Sequence, residues 1–203
     1  MKRLSEVATA RNKIAWDLLH ATTEYYSTQS QASTRGAFQF IEVPWLVSEK
    51  AIRSTFQGNI HEALPGQFAV GSAEQSFAQL LLDGELDPKE QYVALSPCFR
   101  DEPIVDELHQ NHFMKVELIQ PYTGTDDEDY WLAREAAYWF QRLADRYSHH
   151  RNKRIHVVKT PEGYDVTLNG IEVGSYGIRH FEGFSWVYGT ALAEPRFSTA
   201  ILK

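Results

Sequence analysis

At 203 residues, with 43% hydrophobic and 23% charged side chains, the chain has ordinary globular composition and enough length to bury a core without disulfides or structural metals. No apolar run approaches the roughly 20 residues that cross a bilayer as a helix, and Met1-Lys2-Arg3 is followed by no apolar stretch of the secretory kind. A formal net charge of −7 opposes nucleic acid at long range, and the single Cys98 excludes an internal disulfide and points to a reducing, cytoplasmic setting.

In chain order, Ile14, Leu18, Ala21 and Tyr25 fall at helical spacing between about Arg11 and Tyr26, with Trp16 and Leu19 widening the stripe. A polar loop from Ser27 to Gly36 leads to a strand over Ala37–Val43, stopped by Pro44. The stretch from Val47 to Gly66 shows weak periodicity. Ser72 is an N-cap candidate for a short helix over Ala73–Leu82 that turns Phe77, Leu80 and Leu81 inward and ends at Asp83-Gly84.

Two segments further on, Arg100 and Glu102 fall on one face of a strand. After a loop, Phe113, Lys115 and Glu117 share one face of the next strand, while Met114, Val116 and Leu118 supply its apolar face. The acidic run Asp126-Asp127-Glu128-Asp129 suits the positive end of a helix reaching about Tyr147, with Leu132, Ala136, Trp139, Phe140 and Leu143 as its buried stripe. His149-His150 reads as a solvated helix end, Arg151-Asn152-Lys153-Arg154 as a turn before a strand, and Cys98 as a small buried filler.

Asp165 to Gly174 carries an Asn169-Gly170 pair between alternating runs, the signature of a two-residue type I′ hairpin. That turn sets Leu168 opposite Ile171, Thr167 opposite Glu172 and Val166 opposite Val173. Asp165 and Glu172 then project from the polar face as diagonal neighbours, roughly 7–8 Å apart at Cα and within reach of one cation. The pair reads either as two solvent-facing acids or as a Mg²⁺ site completed by phosphate oxygens. Gly174-Ser175-Tyr176-Gly177-Ile178-Arg179 favours a ligand, since small residues allow close approach and Arg179 suits carboxylate or phosphate. A strand and then a helix close the chain over 191–203. The order of elements predicts one α+β domain spanning 1–203, an antiparallel sheet flanked by helices.

These residues resemble the catalytic core of class II aminoacyl-tRNA synthetases, most closely the aspartyl, asparaginyl and lysyl subgroup. Phe99-Arg100-Asp101-Glu102, His109 and Phe113 look like motif 2, and Gly189-Thr190-Ala191-Leu192-Ala193-Glu194-Pro195-Arg196 looks like motif 3. The resemblance implies that Arg100 and Arg196 are catalytic, neutralising the α- and γ-phosphates of ATP. It further implies that Glu102, His109 and Phe113 complete the ATP site, that Glu74, Lys115 and Arg179 hold the amino acid, and that Asp165 and Glu172 bind Mg²⁺.

The activity so implied is ATP-dependent formation of an aminoacyl-adenylate by a homodimer, with no membrane association. The acceptor is open: a small-molecule or protein amine, in the manner of an amide ligase or the asparagine-synthetase relatives of the family, or tRNA charged by a minimal synthetase. A noncatalytic paralogue that binds an amino acid or nucleotide and regulates a partner is the third alternative. Several features depart from the family. Ala191 and Ala193 replace motif 3 glycines, Phe77 stands where the aspartyl enzymes have a lysine, motif 1 is weak around Glu42-Val43-Pro44, and the subgroup's N-terminal anticodon-binding barrel is not recognised.

Overall fold

The computed structural model describes residues 4–28, 36–125, 127–147 and 154–203. Asp126, the His149-His150 pair and residues 151–153 of the basic run lie outside the described residues, as does most of the 27–36 loop.

Helix α1 (Leu4–Thr28) is longer than its expected bounds, and its buried stripe begins later. Leu18, Leu19, Tyr25 and Tyr26 are buried, whereas Ile14 is 41% and Trp16 60% exposed. The division follows the helix's partners. Its C-terminal half meets the sheet and the later helix, where Tyr25 stacks on Trp139 with ring centroids 4.0 Å apart. The expected strand at Ala37–Val43 contracts to β1 (Gln39–Phe40), which pairs in parallel with β5 (Tyr92–Phe99) before the chain leaves toward Pro44.

The illegible stretch forms β2 (Leu46–Val47), α2 (Glu49–Arg53), β3 (His61–Leu64) and β4 (Gln67–Ala69), with a small sheet ordered β2-β4-β3. Strands of two to four residues are too short to show a period. Helix α3 (Ala73–Leu82) starts where its N-cap predicts, with Ser72 Oγ accepting from the Glu74 N–H at 3.3 Å. Phe77 and Leu81 are buried on it, and Leu80 packs at the edge of the same cluster.

The remaining elements are β6 (His112–Pro121), α4 (Glu128–Tyr147), β7 (Ile155–Thr160), β8 (Gly163–Leu168), β9 (Ile171–Phe181), β10 (Phe184–Glu194) and α5 (Arg196–Leu202). The large sheet has seven strands in the order β1-β5-β6-β10-β9-β8-β7, antiparallel except at β1, so the fold is α+β as expected. One face is covered by α1, α4 and α5. All five residues of the predicted α4 stripe are buried there, with Val116, Leu118, Val166, Leu168 and Tyr176 from the sheet. The other face is covered only in part, by α3, and the remainder is concave and polar.

Both hairpins depart from the expected geometry in one respect each. β5 ends at Phe99, whose N–H goes to Val70 O, and Arg100 N–H donates to Asn111 O. Glu102 therefore lies on a loop, not on a strand face beside Arg100. In the second hairpin Asn169 and Gly170 both have positive φ, 53° and 80°, as a type I′ turn requires, and Leu168–Ile171 and Thr167–Glu172 pair as predicted. Beyond them a β-bulge shifts the register, so Val166 faces Gly174 rather than Val173, and Asp165 faces Ser175. Val173 and Gly174 are both turned toward the core, where a Cβ at Gly174 would meet Thr190 O at 2.9 Å and the Phe140 ring at 3.0 Å. The extra residue is absorbed where only glycine fits.

Candidate active site

Alternation along each strand and the pairing between strands assemble the floor of the concave face. Across the sheet Arg179 pairs with Trp186, Tyr188 lies between Gly177 and Ile119, Glu117 between Thr190 and Ala94, Lys115 between Ala193 and Ser96, and Phe113 pairs with Cys98. The walls are the N-terminal turn of α3 with Gly71, Ser72 and Glu74, the loop after β5, and the start of α5. Ile52, Thr55 and Phe56, with His61 of β3, close the far side. The cleft so enclosed measures about 320 Å³, the size of a small-molecule site.

Arg100, Glu102, His109, Phe113, Lys115, Glu74, Arg179, Glu172 and Arg196 all line this one cleft, although they come from five elements or loops. Asp165 does not line it. It lies on β8 opposite Ser175, on the same side of the sheet as Glu172 but one strand further out. Of the two alanines in the last motif, Ala191 is fully buried in the core and only Ala193 presents its methyl group to the cleft.

Each cation of the site is already engaged. The Arg100 Nε donates to Gly71 O at 3.1 Å while its guanidinium sits 5.3 Å from the Phe113 ring centroid, which ties the β5 loop to the entry of α3. Arg196 Nη1 pairs with Glu172 Oε1 at 3.4 Å. Arg179 Nε donates to Glu74 Oε1 at 3.0 Å and lies 4.7 Å above the Tyr188 ring, while Trp186 Nε1 donates to the same carboxylate oxygen at 3.0 Å.

Lys115 Nζ pairs with Glu117 Oε1 at 2.5 Å. Glu117 is buried and also accepts from Ser72 Oγ at 2.7 Å and from the Ala73 N–H, so a sheet carboxylate anchors the first turn of α3. Glu117 was legible only as a residue sharing the polar face with Lys115; its contact with α3 joins positions 44 apart in sequence. Thr55, Phe56, Asn59 and Glu162 also line the cleft and carried no sequence signal. Cys98, fully buried, has its thiol pushed up to about 12 by burial and serves as filler, as expected.

Burial pushes the Glu74 carboxyl up to about 7, against the opposing pull of Arg179. An α-ammonium group seated on Glu74 needs the ionised form. Amino-acid affinity is therefore expected to be flat above pH 7 and to weaken by up to about tenfold for each unit below it. The Glu74→Gln variant, lacking that titration, is expected to bind weakly at every pH. Calorimetric titrations with the cognate amino acid from pH 5.5 to 8 check this, and a flat wild-type profile contradicts it.

Among the described residues no group of three His, Cys, Asp or Glu side chains converges on one point. The donor set at Glu172, with Asp165 diagonal to it on the same face, fits a hard divalent ion held by one or two carboxylates and completed by phosphate oxygens and water.

No family model and no curated relative matches the sequence. The fold does match solved structures. A crystal structure of pyrrolysyl-tRNA synthetase from Desulfitobacterium hafniense matches with a TM-score of 0.60 at 15% identity, over 85% of this chain and 64% of that one. A second structure from the same organism, PylSc, a pyrrolysyl-tRNA synthetase, matches with 0.66 at 17%, over 91% and 66%. Seryl-tRNA synthetase from Pyrococcus horikoshii, complexed with ATP, matches with 0.64 at 17%, over 93% and 50%. The fold is that of class II aminoacyl-tRNA synthetase catalytic cores, and the chain spans between half and two thirds of the length of these solved proteins.

Proposed function

We propose that this chain uses ATP to activate an amino acid as its acyl-adenylate and passes the acyl group to an amine. The observation that carries the proposal is the convergence of nine separately predicted residues on one cleft. Arg100 and Arg196 lie at the ends of two different strands, and Glu74 lies at the root of α3 beside Arg179.

In this reading ATP lies bent along the β5 loop, with adenine on the Phe113 ring and Glu102 and His109 at its edges. The amino acid sits with its ammonium group on Glu74 and its side chain toward Arg179 and Lys115. The substrate carboxylate, already ionised, attacks the α-phosphorus and pyrophosphate leaves, so no protein base is required. The protein contributes positioning, and its guanidinium groups neutralise charge on the transferring phosphate. Mg²⁺ held by Glu172 and Asp165 would supply further charge neutralisation of the polyphosphate.

The assignment to the aspartyl, asparaginyl and lysyl subgroup belongs to this proposal and is supported by the run from Asp165 through Glu172 to Arg179. A single catalytic domain, a reducing cytoplasmic location and a homodimer complete it. The homodimer is supported by the exposed Ile14, Trp16 and Phe40 on α1 and β1, the elements that stand where the family has motif 1. Screening the twenty amino acids for exchange of labelled pyrophosphate into ATP tests the proposal. Exchange dependent on one or a few amino acids and on Mg²⁺ is expected, and none with any of them would overturn it.

A further inference from the structure

Carboxylates border the cleft along the loop after β5 and on the side of β8 and β9. Glu102, Glu162 and Glu172 line it, and the loop from Arg100 to Asn111 adds Asp101, Asp106 and Glu107. The four cations of the lining lie within the cleft, against Gly71 O and the carboxylates of Glu117, Glu74 and Glu172, where the reading above places ATP and the amino acid.

The loop is held in shape. Asp106 Oδ1 accepts from the N–H groups of Leu108 and His109 and faces the His109 ring at 3.0 Å, Thr199 Oγ1 donates to Glu107 O, and His61 pairs with Asp101 at 3.2 Å. Those N–H groups hold the Asp106 carboxyl below its usual range, so it stays ionised. At its outer bend this ordered loop presents two adjacent aliphatic side chains to solvent, Ile104 at 71% and Val105 at 58% exposure, with carboxylates on both sides. Phe56, also partly exposed, lines the opposite edge of the cleft.

A nucleic acid brings a negative charge with every nucleotide and gains affinity chiefly by releasing counterions against Lys and Arg. This rim offers it carboxylates and aliphatic groups. A basic peptide segment gains on both counts, since its cations meet the acids and its apolar residues cover Ile104 and Val105.

Resting on the activation reading above, we infer that the acceptor is the side-chain amine of a lysine within a basic, apolar-flanked segment of another protein, docked on the 100–111 loop. In the transfer step the neutral amine attacks the acyl carbonyl carbon. A C–N bond forms, the C–O bond to the phosphate breaks, AMP leaves with that electron pair, and the amine's proton passes to solvent at the open mouth.

The test uses the intact chain and a fluorescein-labelled peptide, acetyl-Lys-Val-Lys-Leu-Lys-Val-Lys, read by anisotropy without ATP in 100 mM salt. The wild type is expected to bind it, and unfractionated tRNA is expected not to compete. The double variant Ile104→Ser/Val105→Ser and the variant Glu107→Lys are each expected to weaken binding at least fivefold while leaving pyrophosphate exchange within twofold of wild type. In the full reaction, label from the activated amino acid is expected on peptide lysine and not on tRNA. Peptide binding that ignores both variants, or label that accumulates on tRNA, would overturn the inference. Because binding is read without ATP, a loss of exchange in the wild type sinks the activation reading by itself and is distinguishable from a failure of the docking surface.

Discussion

Replacing Arg100 by Ala is expected to lower amino-acid-dependent pyrophosphate exchange by about 10²- to 10³-fold, the usual consequence of removing a preorganised charge that faces a developing phosphate charge. The side chain has two roles that can be separated. Its guanidinium stacks against Phe113 and ties the β5 loop to Gly71 O, and its charge faces the cleft. Arg100→Lys keeps the charge but loses the planar fork and the stacking, so it is expected to recover only part of the activity. If Arg100→Ala folds normally and exchanges at a near-wild-type rate, the α-phosphate role fails and the ATP orientation with it.

Glu117→Ala is expected to have the largest effect on stability, a loss of about 3–5 kcal/mol, because it leaves the buried Lys115 ammonium uncompensated. It also strips two donors at the start of α3, Ser72 Oγ and the Ala73 N–H. Urea denaturation followed by far-ultraviolet dichroism measures the loss. Glu117→Gln retains an acceptor for those donors but not the charge, so it is expected to cost less. In that variant the negative charge that helps to raise Glu74 is gone and Lys115 no longer shares its own. The midpoint of the amino-acid binding profile should therefore move below 7. A Glu117→Ala protein as stable as wild type would show that the pair contributes nothing net.

The candidate site was legible along β6 and at the turn of the second hairpin, where chemistry follows strand alternation, and not at Glu102, where β5 had already ended. Phe113, Lys115 and Glu117 share one face because strand side chains repeat every second residue, and Asn169-Gly170 fixes the first two pairs of the second hairpin because few residues tolerate positive φ in succession. The α3 N-cap and the α4 stripe were legible for the same kind of reason, since capping and helical period act within a few residues.

What failed to read was longer in range or shorter in length. The bulge at Val173–Gly174 arises where Gly174 packs against Phe140 and Thr190 O, contacts from α4 and β10 that a hairpin rule does not contain. Ile14 and Trp16 carry the period of a buried stripe yet stay exposed, because α1 extends past the elements that would cover them.

The sequence by itself determined the local devices: most of the longer strands and helices, where the tight turn lies, and which charged residues of β6 share a face. Those depend on torsional preferences and side-chain direction over a few neighbours. Only the tertiary structure decided that these faces border a single cleft, that Asp165 stands outside its lining, and that every arginine and lysine in it is paired with a carboxylate or carbonyl. Apart from Lys115–Glu117, those pairings join residues more than twenty positions apart, and they persist because an unpaired charge in that partly buried space would cost a large share of the fold's margin of stability.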